Sequence, residues 1–230
     1  MIQPIRLPIA NAYLVQGTRP ILVDTGAPGD TARIVRALQQ NGVALTDLAL
    51  ILLTHGHGDH AGSAAALRQQ SGAPVMIHRA DLDMIQAGRN RPFHTTSLEA
   101  KLIKPFVNRP FPPVDADIVV DGATELAAFG IAGQLLSIPG HTHGSVALLL
   151  QEPDRKQPAA IVGDLLMGGR FGGALWPTWP QQHYFAEAPG LLPKSLERLL
   201  AQQPHRFYVG HGGPLDGQRV QQVATRLYKS

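Results

Sequence analysis

The stretch Leu53–Ser63, LTHGHGDHAGS, sets His55, His57, Asp59 and His60 within six residues, directly after the apolar run DLALILL. Crowded imidazoles resist being protonated together and fill a core poorly. Nitrogen and carboxylate donors at this density point to a metal ion. In an extended loop, residues two apart face the same side, so His55 and His57 can grip one ion. Asp59 and His60, at the mouth of the next helix, face a neighbouring position, and two adjacent donor groups imply two ions. Gly56 and Gly58 let the loop fold tightly. A plainer reading makes Asp59 a helix cap and leaves the histidines exposed, but it treats each residue singly and does not explain their joint spacing.

The chain around this cluster is that of an ordinary globular protein. Its 230 residues are 44% hydrophobic, which suits a sizeable core. The net charge of +3 is spread without a basic stripe, so nucleic acid is not an expected partner. Cysteine is absent, which leaves His, Asp and Glu as metal donors and rules out a thiol nucleophile. No charged leader precedes an apolar stretch, and no apolar run approaches the roughly 18 residues that span a bilayer. A cytoplasmic protein acting on a small molecule is expected, with the oligomeric state undetermined.

The elements that must carry the cluster follow from hydrophobic periodicity. AYLVQ and ILVDTG, joined across GTRP, predict a hairpin. DTARIVRALQQNG predicts an amphipathic helix, LALILLT a buried strand, HAGSAAALRQQSG a helix and PVMIH a strand. Strands are expected again at DIVV, TELAAF, QLLSIPG, SVALLLQ and AAIVGDLL, then a helix near 191–203, a strand RFYVG and a final helix. Two stretches break the pattern, near 89–113 and 168–190, and are read as insertions walling a pocket within one domain spanning 1–230.

HGHGDH matches the His-x-His-x-Asp-His motif of the metallo-β-lactamase superfamily, and the rest of the chain resembles that family in order. PGHTHGS supplies His141, IVGDLL supplies Asp164, YVGHGGPL supplies His211, and LVDTG supplies Asp24. The resemblance implies an α+β fold, an αββα four-layer sandwich. It implies His55, His57 and His141 on one ion, Asp59, His60 and His211 on the other, and Asp164 bridging, with Asp24 supporting a histidine. Two divalent ions are implied, zinc foremost, with iron or manganese also suited to these donors. Such a pair holds a hydroxide and lowers its pKa, with Asp59 and Asp164 as the catalytic carboxylates.

Among branches of the family, the ligand set resembles glyoxalase II-like hydrolases most, and it implies hydrolysis of an ester, thioester or lactone. Full-length glyoxalase II-like relatives bind glutathione through a helical extension, whereas nineteen residues follow His211 here. Lactone hydrolases often carry a tyrosine three residues after the bridging aspartate, where this chain has Met167. A mononuclear iron enzyme resembling persulfide dioxygenases and a catalytically silent metal-binding module are the alternatives. For the pocket, the sequence offers His143, Trp176, Trp179 and Tyr184, with Phe93, Phe106 and Phe111 as apolar lining. His78, His94, His183 and His205 are read as surface or core-edge residues outside the site.

Overall fold

The computed structural model describes residues 1–95, 100–101 and 109–228. Two six-stranded sheets form its centre. In the first, β1 (Ile2–Ile5), β2 (Ala12–Gln16) and β3 (Pro20–Val23) run antiparallel, and β4 (Leu50–Leu52), β5 (Val75–His78) and, beyond the short β6 (His94–Thr95), β7 (Ile118–Val120) continue parallel to β3. The second sheet holds β8 (Thr124–Glu125), β9 (Gly133–Ser137), β10 (Val146–Leu150) and β11 (Ala159–Ile161). After the hairpin β12 (Met167–Arg170) and β13 (Leu175–Gln181) and the short β14 (Phe185–Ala186), β15 (Arg206–Tyr208) joins parallel to β11, and β16 (Leu215–Asp216) closes the edge.

The strands read as unbroken apolar runs because both faces of each sheet are covered. Alternation shows which residue goes where. Tyr13, Val15, Ile21, Val23, Leu50 and Leu52 face the second sheet, where they meet Leu135, Val146, Leu148, Leu150 and Ile161. Their neighbours Leu14, Leu22 and Ile51 turn outward onto Ile34 and Leu38 of α1 (Thr31–Gln40) and Leu67 of α3 (Ala64–Ser71). On the far side, Ala147, Leu149 and Ala160 pack under Leu192, Leu196 and Leu199 of the helix Leu192–Leu200 and Val220 of the helix Gly217–Leu227. The order helix, sheet, sheet, helix is the αββα sandwich that the resemblance implies.

Three local expectations change. HAGSAAALRQQSG is not one helix. A single turn, α2 (Gly58–Ala61), stops at Gly62, whose N–H donates to the Gly26 carbonyl at 2.9 Å, and α3 restarts after Ser63; only glycine fits there, since a Cβ would stand 2.5 Å from Pro28 N. TELAAF keeps only two strand residues before a 3-10 turn over Ala127–Phe129. The stretch 168–190, patternless in sequence, contains most of the β12–β13 hairpin, whose β13 side chains are largely exposed. Among the described residues, no helix is long and apolar enough to cross a membrane.

Candidate metal centre

The site lies where four strands end. After β4 the chain passes through Leu53 and Thr54 into His55, and the carbonyl of Thr54 accepts the Val146 N–H of β10 at 2.9 Å, tying the two sheets together at this edge. His141 sits between β9 and β10, Asp164 follows β11, and His211 follows β15. The Gly210 N–H donates to the Gly163 carbonyl at 2.8 Å, which lays the last two loops side by side. Gly210 has to be glycine here, since a Cβ would stand 2.0 Å from Asp164 Oδ1. Gly56 and Gly58 are required for space and not for an unusual φ. A Cβ on Gly56 would meet Met84 at 2.8 Å, and one on Gly58 would meet the Phe111 ring at 2.5 Å.

The seven residues expected as donors come together in two groups. His55, His57 and His141 form one, and Asp59, His60, Asp164 and His211 form the other, with the donor atoms of each group within 4.8 Å of one another. Asp164 joins them. Its Oδ2 lies 3.4 Å from His141 Nε2, 3.3 Å from His211 Nε2 and 3.9 Å from His55 Nε2, while its Oδ1 lies 3.4 Å from His60 Nε2. Asp59 Oδ2 stands 3.4 Å from His211 Nε2. All but Asp59 are buried.

Hydrogen bonds on the far side of each ring decide what the near side offers. His141 Nδ1 meets the Phe185 carbonyl at 2.8 Å, and His211 Nδ1 meets the Ile9 carbonyl at 2.9 Å. A carbonyl only accepts, so these nitrogens carry the proton and each neutral ring turns its Nε2 lone pair toward the centre, that of His141 lying 2.9 Å from His57 Nδ1. His60 Nδ1 donates to Asp24 Oδ2 at 2.9 Å, and Asp24 also accepts the Thr54 N–H at 2.7 Å and the Thr54 hydroxyl at 2.8 Å. With its hydroxyl proton so committed, Thr54 Oγ1 accepts from His55 Nδ1 at 3.1 Å. Asp24 thus orients two of the histidines, at a residue whose φ is +60°.

Four lone pairs are therefore aimed at carboxylate oxygens, an arrangement that repels unless a cation or protons lie between. The Nε2 atoms of His55, His57 and His60 and Oδ1 of Asp164 are buried without a hydrogen-bond partner, which fits donors reserved for a cation. The titration pattern agrees. Burial, with repulsion from neighbouring imidazoles, lowers His55, His57 to about 4 and His141 to about 3. Burial acts against charge at His60 and His211 too, but the carboxylates of Asp164, Asp59 and Asp24 outweigh it at His60, and those of Asp164 and Asp59 raise His211 to about 10. Asp164 and Asp59, which burial alone would raise, are held well below the usual carboxylate range, Asp164 by His183, His211 and His60 and Asp59 by His60 and His211.

A second layer fixes the loops. Asp81 is fully buried and accepts from the Gly56 N–H at 3.0 Å, the Gly144 N–H at 2.8 Å, the Thr142 hydroxyl at 2.6 Å and Arg91 at 2.7 Å. One carboxylate so binds the loop of His55 and His57 to the loop of His141. Arg91 then reaches Glu187 through two bonds of 3.0 Å.

Besides the metal-facing residues, the cavity over the centre is lined by Asn90, Gly172 and a mostly apolar wall of Pro8, Ile9, Phe93, Met167, Phe171, Tyr184 and Phe185. Phe93 and Tyr184 are among its lining residues, and the other described residues expected there are not. Trp176 and Trp179 are 68% and 47% exposed on β13 and do not line the cavity, with Trp179 under the Arg219 guanidinium. His143 is exposed, and its N–H donates to Glu187 at 3.0 Å. Phe111 is packed in the core under Gly58, and Phe106 lies outside the described residues.

The sequence reading missed His183. It is 6% exposed, its Nε2 is 3.2 Å from Asp164 Oδ2, and its ring stands 4.5 Å from that of His141. No motif surrounds it. It arrives through β14, which pairs with β6 so that Phe185 lies opposite Thr95, a contact between two segments without sequence periodicity. His78, His94 and His205 lie outside the two donor groups.

Comparison with known proteins agrees with this geometry. The sequence model of the metallo-beta-lactamase superfamily matches residues 5–211. The probable metallo-hydrolase YqgX of Bacillus subtilis is 30% identical over 92% of this chain and 90% of its own length. The hydroxyacylglutathione hydrolase of Albidiferax ferrireducens is 29% identical over 76% of this chain, which spans about half (51%) of that relative. The solved structure of TTHA1623 in a di-iron-bound form superposes with a TM-score of 0.65 at 28% identity, over 96% of this chain and 97% of that one.

Proposed function

Because the chain belongs to the metallo-β-lactamase superfamily, we propose that it is a dinuclear metal-dependent hydrolase of an ester, thioester or lactone with an apolar acyl part. The observation that carries this reading is the convergence of His141, His211, His55 and His60 nitrogens on the single carboxylate of Asp164. His55, His57 and His141 would hold one ion, Asp59, His60 and His211 the other, and Asp164 would be shared. Nitrogen and oxygen donors suit zinc, iron or manganese, and the di-iron form of TTHA1623 keeps iron among the candidates beside zinc. Bound there, a pair of ions supplies a water-derived nucleophile at neutral pH and Lewis acidity toward a carbonyl.

The chain's own residues do the rest. Asp24 and the Phe185 and Ile9 carbonyls keep the imidazoles in the donating tautomer. Phe93, Met167, Phe171 and Phe185 exclude water and receive an apolar group. Among the described lining residues none is Lys or Arg.

Elemental analysis of the purified protein, joined to a screen of esters, thioesters and lactones, tests the proposal. Two transition-metal ions per chain and hydrolysis that Asp59→Ala abolishes are expected. Metal-free protein after supply of zinc, iron and manganese, or equal turnover by Asp59→Ala, would overturn it.

A further inference from the structure

We infer that His183 is an eighth protein donor of the metal centre, binding through Nε2 to the ion it would share with His141 and Asp164. The inference rests on the dinuclear reading above and goes beyond its seven donors.

The segment just after His183 is held in place. Phe185 pairs with Thr95, the Glu187 N–H donates to the His141 carbonyl at 2.8 Å, and Arg91 clamps the Glu187 carboxylate. Its Nε2, at 3.2 Å, is closer to Asp164 Oδ2 than the Nε2 of His211, His141 or His55. Donors bound to one ion at about 2.0–2.2 Å sit roughly 3.0–3.5 Å apart, and both the His183 and the His141 nitrogens keep that spacing from the carboxylate. The donor atoms of His141, Asp164 and His183 lie within 4.8 Å of one another, and the two imidazole planes are at 89°.

The competing role is a hydrogen bond from Nε2–H to Asp164. Phe185 serves either tautomer, since its N–H is 3.2 Å and its carbonyl 3.3 Å from His183 Nδ1. Clustering favours the donor role: the His183 nitrogen lies together with donor atoms of both His141 and Asp164, all within 4.8 Å of one another, whereas a hydrogen bond would need contact with the Asp164 carboxylate alone.

The test is cobalt(II) loading of the full-length wild type, His183→Gln and His183→Ala. Glutamine keeps an N–H able to donate to Asp164 but lacks the imidazole nitrogen. Visible bands of cobalt(II) strengthen as its coordination number falls. Both variants are expected to show stronger, shifted bands and to hold one of the two ions at least about tenfold more weakly. A His183→Gln spectrum that superimposes on the wild-type spectrum would overturn the inference and leave the dinuclear reading standing. A wild type that takes up no cobalt would overturn both. X-ray absorption or a crystal structure of the cobalt-loaded wild type needs no variant to fold: His183 nitrogen at about 2.0–2.2 Å from an ion supports the assignment, and its absence from the coordination sphere refutes it.

Discussion

Asp24 accepts the Nδ1–H of His60 at 2.9 Å, across thirty-six positions of sequence. The same carboxylate anchors Thr54 beside His55, so one residue aims a histidine of each donor group. Partners of this kind contribute about 10–100-fold to metal affinity. Asp24→Ala is expected to weaken binding by that order, and competition titration against a chromophoric chelator measures it. Affinity unchanged from wild type would show that His60 is aimed by packing alone.

Asp81 joins the two loops that carry His55, His57 and His141. Asp81→Ala leaves two buried N–H groups and the Thr142 hydroxyl without their acceptor. We expect a loss of about 2–4 kcal/mol, read from urea unfolding of the metal-free protein. Asp81→Asn keeps one acceptor oxygen and should lose less. Equal stability of all three proteins would contradict the clamp.

Metal uptake should depend on pH with a definite sign. In the metal-free site His211 has its pKa raised to about 10 and His60 is raised as well, so both carry protons at neutral pH. His57, lowered to about 4, and His141, lowered to about 3, carry none. An incoming ion must displace the first pair of protons, so affinity rises with pH through the neutral range. Calorimetry in buffers of different ionisation enthalpy should find about two protons released at pH 7. In the metal-free protein the His211 shift stabilises the fold below about pH 6.5 and that contribution is lost as pH rises toward about 10. Uptake that strengthens on acidification would refute the assignment.

Substrate preference should reside in the cavity wall and not in the hairpin. Phe93→Ala removes a buried aromatic face beside His57 and is expected to raise KM for long-chain acyl substrates about tenfold, the effect of losing roughly 1–3 kcal/mol of apolar contact. Trp176→Ala and Trp179→Ala, on exposed β13, should leave KM unchanged. Kinetics over a series of acyl lengths distinguishes the two sets, and a KM effect confined to the tryptophans would reverse this picture.

Much of the framework was legible because its signals are local. Alternation along AYLVQ, ILV and VALLL assigned faces that the two sheets then used, and glycines near the metal-facing loops marked where backbones approach closely. Helix limits were less legible. The Gly58–Ser71 stretch breaks at Gly62, whose N–H is taken by the Gly26 carbonyl, a contact between distant segments. The pocket was least legible, since aromatic composition says nothing of direction. Trp176 and Trp179 are exposed, while Phe93 and Tyr184 line the cavity.

By itself the sequence determined the donor types, their order along the chain and the strand ends that deliver them, because a short motif and two-residue periodicity act within a few positions. Only the tertiary structure decided which nitrogen of His60, His141 and His211 faces the centre, that Asp81 binds two loops into one unit, and that His183 stands beside Asp164. Those outcomes depend on hydrogen bonds and pairings between residues tens of positions apart, and no local pattern encodes such distances.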